Sequence, residues 1–279
     1  RFIGQPLTFG FQQVGTNCGL IGQNAALEVD GAAYWLSENG FFRYSGSLET
    51  MTCLVEDFVY NDLNTTANQL INVGLNNLFG EITWFYCTES STVVNRCVTY
   101  NYQDSSPQRP VWTTGTLARG SWTDSSVFGL PHATFFNASD DASFDVQGNT
   151  EGSTIYFEHE KGTDEALANG INAVTSNIES GDFDITQARS STGQQTGVAT
   201  FKGDGEFLMK IRRFIPDFLS QTGNTQVTLQ LRNYPNSSQA SSPLGPFTIT
   251  SSTDKVDTRA RARAISLKVA NTAVGQSWK

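Results

Sequence analysis

The sequence contains two histidines, and neither has the neighbours that a catalytic or metal-binding histidine needs. His132 lies in the run Pro-His-Ala-Thr-Phe-Phe, and His159 lies between Glu158 and Glu160. Neither is near a GxSxG motif, and neither has a second histidine at metal-ligand spacing. Both are predicted to be ordinary hydrogen-bonded side chains.

Two glutamates have a spacing that glycoside hydrolysis could use. Glu158 and Glu160 are predicted to lie on one face of a strand, about 7 Å apart. The same spacing is common by chance, so we interpret the pair as a solvated or interfacial strand edge. The other carboxylates considered for such a reaction are Asp57, Asp62 and Glu81.

An acidic loop and the nucleotide-binding motifs complete the search for chemistry. Asp140, Asp141 and Asp145 could bind calcium, but the spacing of an EF-hand and its closing glutamate are absent. The sequence has no GxxxxGK[ST] loop and no GxGxxG between a strand and a helix. It therefore predicts no cofactor, no metal and no enzymatic activity.

The most unusual pattern is a row of arginines at alternate positions. Arg259, Arg261 and Arg263 alternate with alanines and run on into aliphatic residues, at positions 265, 267 and 269. In one continuous strand, the arginines and these aliphatic side chains would share a side. Three guanidinium groups could pair with carboxylates within or between subunits, contact DNA phosphates, or only protect a strand end from aggregation.

Composition and charge describe a β-rich, acidic chain. Aromatic residues make up 11% and charged residues 16% of 279 residues, and the net charge is −9. This excess repels phosphates overall, which disfavours tight binding of nucleic acid over the whole surface but allows DNA to pass without sticking. With no long apolar run and no secretion signal, the sequence predicts synthesis in a cytoplasm and no stable membrane contact.

The cysteines and the chain ends give two further expectations. The four cysteines, which form no CxxC pair, are predicted to be free buried thiols, with a bridge between Cys87 and Cys97 as the minority alternative. The chain begins with Arg1 and stops at Lys279 just after a strand-like segment. We therefore expect trimmed ends or a longer parent polypeptide.

Short strand-like runs must position these side chains. Asp30-Gly31 and Asn39-Gly40 separate three runs at 26–29, 32–36 and 41–44, which predicts a meander with tight turns. Similar groups follow within 81–127, 132–179 and 206–269. An all-β fold is predicted, with antiparallel blades of one β-propeller-like body at about 1–62, 63–130, 131–180 and 181–279; tandem β-sandwiches are the alternative.

One segment has helical spacing instead. Apolar residues recur at positions 63, 67, 70, 71 and 75, and Asp62 or Asn64 is available as the N-cap. The pattern predicts a short packing helix near 63–75, between the first two groups of strands.

Four stretches resemble a known family. They are AYWLSENGFF at 33–42, GEITWFY at 80–86, LARGSW at 117–122 and TRARAR at 258–263. In this order they resemble the C-terminal part of tail nozzle, or packaged-DNA-stabilisation, proteins of short-tailed bacteriophages. The resemblance implies propeller-bearing subunits in a hexameric ring below the portal and adaptor. Such a ring closes the DNA channel and carries fibres or spikes.

The sequence therefore predicts a structural virion protein, and the alternative is a binding module. The expected protein is a homo-oligomeric ring subunit in a phage tail, assembled in the bacterial cytoplasm, that retains packaged DNA and passes it at ejection. The alternative is a carbohydrate- or receptor-binding β-module in which tryptophans stack on sugars. The tryptophans in question are Trp35, Trp84, Trp112 and Trp122.

Overall fold

The computed structural model describes residues 4–6, 10, 13–124, 129–136, 154–167, 170–184, 208–234 and 242–279. The chain divides into two compact units, residues 1–161 and 162–279. Within the described residues, strands form nearly all regular structure, and one α-helix and one 3₁₀ helix accompany them. The prediction of an all-β fold is confirmed. No described helix is both long enough and apolar enough to span a bilayer.

The first sheet is the predicted meander with one more strand. Asp30 and Gly31 both have positive φ angles, 52° and 77°, as a two-residue hairpin turn with the right-handed strand twist requires. The predicted three-stranded meander is confirmed, and a fourth strand pairs with its last member. The strands are β1 (Ala26–Val29), β2 (Ala32–Ser37), β3 (Gly40–Tyr44) and β4 (Leu48–Met51).

Two helices follow, and they correct the predicted one. Helix α1 (Glu56–Asp62) was not predicted, and the 3₁₀ helix Thr65–Leu70 occupies only part of 63–75. Asn64 does cap the 3₁₀ helix, because its side chain accepts a hydrogen bond from the Thr66 amide at 3.0 Å. The end of the prediction is wrong, since strand β5 (Asn72–Asn76) begins there. Pairing with a neighbouring strand prevails over the weak helical spacing.

The second sheet is also a meander in chain order. Its strands are β5, β6 (Glu81–Tyr86), β7 (Arg96–Asn101) and β8 (Trp112–Gly115). The first two sheets share an aromatic core in which Phe41 lies with its ring centroid 5.1 Å from that of Trp84 and 4.7 Å from that of Trp112. Burial of such large rings supplies most of the stabilisation of this unit.

A third sheet, with three strands, belongs to the described part of the first unit. It contains β9 (Ser121–Thr123), β10 (His132–Phe136) and β11 (Thr154–Glu158), with β10 in the centre. Trp122 of β9 stacks on Phe85 of β6 at 5.6 Å between ring centroids and donates its indole N–H to the Leu75 carbonyl at 2.8 Å. One aromatic side chain thus fixes this sheet against the second one.

The described residues of the second unit form one four-stranded sheet and three strand pairs. The four-stranded sheet has the order β14 (Asn177–Glu179), β20 (Ala264–Ala270), β17 (Thr225–Arg232), β18 (Ser242–Ile249). The pairs are β12 (Asp164–Leu167) with β13 (Gly170–Ala173), β15 (Met209–Phe214) with β19 (Val256–Ala262), and β16 (Gln221–Thr222) with β21 (Ser277–Trp278). A small core joins Met209, Leu229, Ala260, Ala262 and Ile265.

The strand orders bear on the predicted blades. The first two sheets are four-stranded meanders, as blades would be, but the four-stranded sheet of the second unit is not in chain order. No sheet among the described residues closes on itself. A single propeller-like body with four blade units therefore stays a prediction, as do tandem sandwiches.

Candidate functional site

The arginine row lies on one strand and the bend that follows it. Arg259 and Arg261 belong to β19, and Arg263 is the next alternate residue after the strand ends at Ala262. All three side chains are exposed, whereas Ala260 and Ala262 are buried. The alternation expected for a strand therefore places the guanidinium groups in solvent and the small side chains in the core.

The prediction of one continuous strand through the row is wrong. The chain bends at Arg263, and β19 pairs with β15, whereas β20 pairs with β17 and β14. Ala264 and Ile265 are both buried, so the alternation restarts after the bend. Arg263 and Ile265 therefore do not share a side, because the chain changes sheets between them. The Arg263 amide donates to the Arg232 carbonyl at 3.0 Å and fixes this change of sheet.

Strand β15 adds three cations that sequence reasoning missed. Lys210 lies opposite Arg261, and Arg213 lies opposite Asp257. The register shifts between them, so that Arg212 lies opposite two residues of β19, Thr258 and Arg259, at a β-bulge, and all three β15 side chains are exposed. The dense run Lys-Ile-Arg-Arg at 210–213 was the available signal. We define the cationic ribbon as Lys210, Arg212, Arg213, Arg259, Arg261 and Arg263.

Only part of this charge is neutralised locally. Arg213 Nε donates to Asp257 Oδ1 at 2.6 Å, and this hydrogen bond holds the pKa of Asp257 below its ordinary value. Within the described part of the chain, Lys210, Arg212, Arg259 and Arg261 have no carboxylate within 4.0 Å. Like charges directly opposite on paired strands repel, so the ribbon favours an anionic partner.

The buried side of the ribbon holds it in place. Ala260 and Ala262 are at most 1% exposed and pack in the core of the second unit with Met209 and Leu229. Side chains that point outward from a packed strand lose less conformational freedom on binding than those on a mobile loop. The geometry suits noncovalent, bidentate recognition of carboxylate or phosphate groups.

Charge is divided unequally between the two units. Residues 1–161 contain 6 of the 18 Lys and Arg and 17 of the 27 Asp and Glu, a formal charge of −11. Residues 162–279 contain the other 12 basic and 10 acidic residues, a formal charge of +2. The net negative charge of the chain therefore comes from the first unit, whereas the cationic ribbon lies in the second unit.

The histidines have structural partners, as predicted. Arg119 Nε donates to His159 Nε2 at 2.8 Å, and the Arg119 guanidinium lies over the Phe157 ring, 3.6 Å from its centroid. Burial, followed by the nearby charge of Arg119, lowers the pKa of His159 to about 4. His132 is hydrogen-bonded to the Tyr156 hydroxyl. An imidazole that accepts from a guanidinium is neutral and cannot at the same time act as a base.

The proposed pair of glutamates does not form on one strand face. β11 ends at Glu158, which forms an ion pair with Lys161, whereas Glu160 has a φ of 59° and accepts from the Asn76 side chain at 2.9 Å. The positive φ turns the chain out of the strand, so the predicted alternation stops.

The other candidate carboxylates lie apart from one another. Asp62 pairs with Arg96 at 3.3 Å, and Arg96 lies opposite Tyr86, at the far end of β6 from Glu81. The length of this strand, about 17 Å, exceeds the separation of any glycosidase pair. Asp57 is exposed in the first turn of α1. Asp140, Asp141 and Asp145 lie outside the described residues, and among those described no group of three ligands could hold a metal.

The four tryptophans of the carbohydrate alternative are committed to packing. Each donates its indole N–H to a backbone carbonyl of another segment, at 2.8 to 3.0 Å. Trp84 and Trp112 are buried, and Trp35 and Trp122 are half-buried. Sugar-binding platforms need exposed ring faces, so these side chains give the carbohydrate alternative no support.

Comparison with protein-family models and with curated proteins gives no match to this chain.

The cysteines are free thiols. Cys87 and Cys97 are buried in the small cluster with Phe85, and Cys18 and Cys53 are half-buried. Burial raises the pKa of both Cys87 and Cys97 to about 11, which leaves almost no thiolate at neutral pH. The minority alternative of a bridge between these two residues is not present.

Proposed function

We propose that this chain is a non-catalytic structural subunit of a phage tail or head-tail connector, similar to a tail nozzle. It acts as a homo-oligomer, expected to be a hexameric ring, that retains packaged DNA and forms the ejection channel. Its partners are the portal or adaptor and the tail fibres or spikes, and DNA passes it transiently. Its place is the virion tail, after assembly in the bacterial cytoplasm.

The observation that carries this proposal is the cationic ribbon. Four of its cations have no carboxylate partner among the described residues, and small buried alanines fix the strand beneath them. Guanidinium groups at pH 7 bind anions without gaining or losing protons, so the surface suits assembly rather than catalysis. An assembly protein needs such a surface, and the resemblance at 258–263 falls on the same strand.

The acidic first unit supports passage of DNA. Tight binding of DNA comes mainly from Lys and Arg that displace counterions from phosphates. A unit with a formal charge of −11 gains nothing from this effect and repels the duplex. A ring that presents this unit to DNA would let it slide, whereas a basic lining would hold it.

The proposal is tested on particles from a culture in which the gene is expressed and phage are produced. Peptides of this chain should be found in purified virions, and an antibody raised against it should label the tail end in negative-stain images. Antibody pre-absorbed with the purified chain is the control. The proposal is wrong if the chain stays in the soluble fraction and is absent from the purified particles.

A further inference from the structure

Five carboxylates gather at one end of the first unit. They come from the β1–β2 turn, the start of β6, and the segments that follow β7, β9 and β11. Two asparagines join them, Asn76 at the end of β5 and Asn77 directly after it. Asn77 Nδ2 donates to Asp124 at 2.9 Å, and Asn76 Nδ2 donates to Glu160 at 2.9 Å. We define the acidic end as Asp30, Glu81, Asp104, Asp124 and Glu160.

Further contacts show that these residues are neighbours. The Tyr102 hydroxyl donates to Asn77 Oδ1 at 3.3 Å, and the pKa of Tyr102 is raised by burial and then by the charges of Asp30 and Asp124. Asp104 accepts from Asn101, which lies opposite Glu81 in the sheet. The five carboxylates therefore belong to one surface.

The acidic end lacks local neutralisation. Its hydrogen-bond donors are neutral amides, and within the described residues no Lys or Arg lies within 4.0 Å of its five carboxylates. Burial and then the charge of Glu160 raise the pKa of Glu81, as expected where carboxylates crowd together. Asp30, Asp104 and Glu160 are exposed. The first unit thus presents negative charge that a cationic surface would stabilise.

The cationic ribbon has the opposite imbalance. Lys210 and Arg261 face each other across paired strands, and Arg212 and Arg259 have no carboxylate partner among the described residues. Arginine and carboxylate form bidentate hydrogen bonds, and complementary charge both speeds encounter and fixes register. One chain therefore carries two complementary surfaces, each with excess charge of one sign.

We propose that the cationic ribbon of one copy binds the acidic end of a second copy. The two surfaces are different, so the contact is head-to-tail, and repetition of such a contact closes a ring when the rotation between copies allows it. This inference rests on the proposed function, because it names the partner of the ribbon in the assembly. DNA could also bind the cationic ribbon, but the carboxylates of the acidic end would then have no cationic partner.

A charge-swap experiment tests the pairing. In the full chain, the ribbon variant R259E/R261E and the acidic-end variant D104K/E160K each place two charges of the wrong sign in one of the two surfaces. Each alone should associate at least about ten-fold more weakly than the unaltered chain in sedimentation velocity. In an alternating mixture of the two variants, the introduced glutamates face the introduced lysines at one contact and both surfaces are unaltered at the next, so association should return. Added salt should weaken the association of the unaltered chain.

Matched controls change the same number of charges elsewhere. K268E/K279E reverses two cations of the second unit outside the ribbon, and E38K/E89K reverses two exposed acids at other turns of the first unit. Both should associate like the unaltered chain. Far-UV circular dichroism and tryptophan fluorescence identify any variant that fails to fold, and recovery in the mixture is itself evidence of folded partners.

Each other outcome overturns the inference. An unaltered chain that stays monomeric as its concentration rises has no such contact, and reversed variants that associate normally show a different interface. Failure of the mixture to recover rejects this pairing of surfaces. If R259E/R261E assembles normally but loses binding to a duplex DNA fragment, the ribbon is a DNA surface. None of these results changes whether the chain is found in purified virions, so the two proposals fail separately.

Discussion

At the scale of single residues, His159 is the side chain whose environment departs most clearly from that in water. Its ring is packed between Trp122, 4.5 Å away by ring centroids, and the Arg119 guanidinium, which donates to it. Both burial and the adjacent cation disfavour the imidazolium form. The interaction is structural, because it holds the end of β11 against β9.

This environment predicts how His159 titrates. The sequence has only two histidines, so their Cε1–H resonances can be followed separately by NMR. The midpoint of His159 should lie near pH 4 instead of the ordinary 6.5, and Arg119→Gln should move it upward by removing the cation. His132→Gln provides the assignment. A midpoint near 6.5 in the unaltered chain would contradict the packed, neutral ring.

The same shift makes stability depend on pH. The pKa of His159 lies below 6.5 in the folded chain and near 6.5 in the unfolded chain. As the pH falls, His159 is therefore protonated first in the unfolded chain. The contribution of His159 is therefore complete above about pH 6.5 and is lost as the pH falls toward 4. It is on the order of 1–2 kcal/mol once the partial solvent exposure of the ring is considered.

At the scale of elements, the contact between β5 and β9 depends on a glycine. A Cβ atom on Gly74 would lie 2.4 Å from Cγ of Trp122, much closer than carbon atoms approach. The indole also donates to the Leu75 carbonyl, so it cannot move aside without loss of that hydrogen bond. Gly74 is therefore needed for close approach rather than for a special backbone angle.

Gly74→Ala should destabilise the first unit by about 1–3 kcal/mol, because a well-packed site has no room for the methyl group. Urea unfolding followed by tryptophan fluorescence measures the change in the free energy of unfolding. Gly19→Ala is the matched control, because a Cβ there meets no atom within 4 Å. Equal effects of the two substitutions would show that the Trp122 contact is not tight.

At the scale of the whole molecule, the two compact units have separate cores. The aromatic core of the first unit includes Phe41, Trp84 and Trp112, and that of the second is a smaller aliphatic cluster around Leu229. Two cores of different size need not unfold together, so a single two-state transition is not expected. Each unit also carries one of the two oppositely charged surfaces, so assembly by the ribbon needs both units folded.

Leu229→Ala should lower the stability of the second unit by about 2–5 kcal/mol and leave that of the first unit unchanged. Circular dichroism should then show an earlier transition, whereas tryptophan fluorescence should keep its midpoint, since four of the five tryptophans are in the first unit. Leu36→Ala is the converse variant and should shift the fluorescence. If Leu229→Ala shifts both signals together, the chain unfolds as one unit.

Local features were predictable because neighbouring residues determine them. Asp30-Gly31 supplies the positive φ angles of the first hairpin, and alternation correctly placed Arg259 and Arg261 on one side of a strand. The all-β class follows from the same short-range patterns. The helix prediction failed at Leu75 because helical spacing in a short segment is weaker than pairing with a strand.

The partner of each strand was decided only by the tertiary structure. β15 lies almost fifty residues before β19, yet their pairing places Lys210, Arg212 and Arg213 beside the arginine row. The bend at Arg263, the order of strands in the second unit and the gathering of the acidic end depend on similar long-range contacts. Such pairings follow from which distant segments bury apolar surface and satisfy backbone hydrogen bonds together, and no local pattern records that choice.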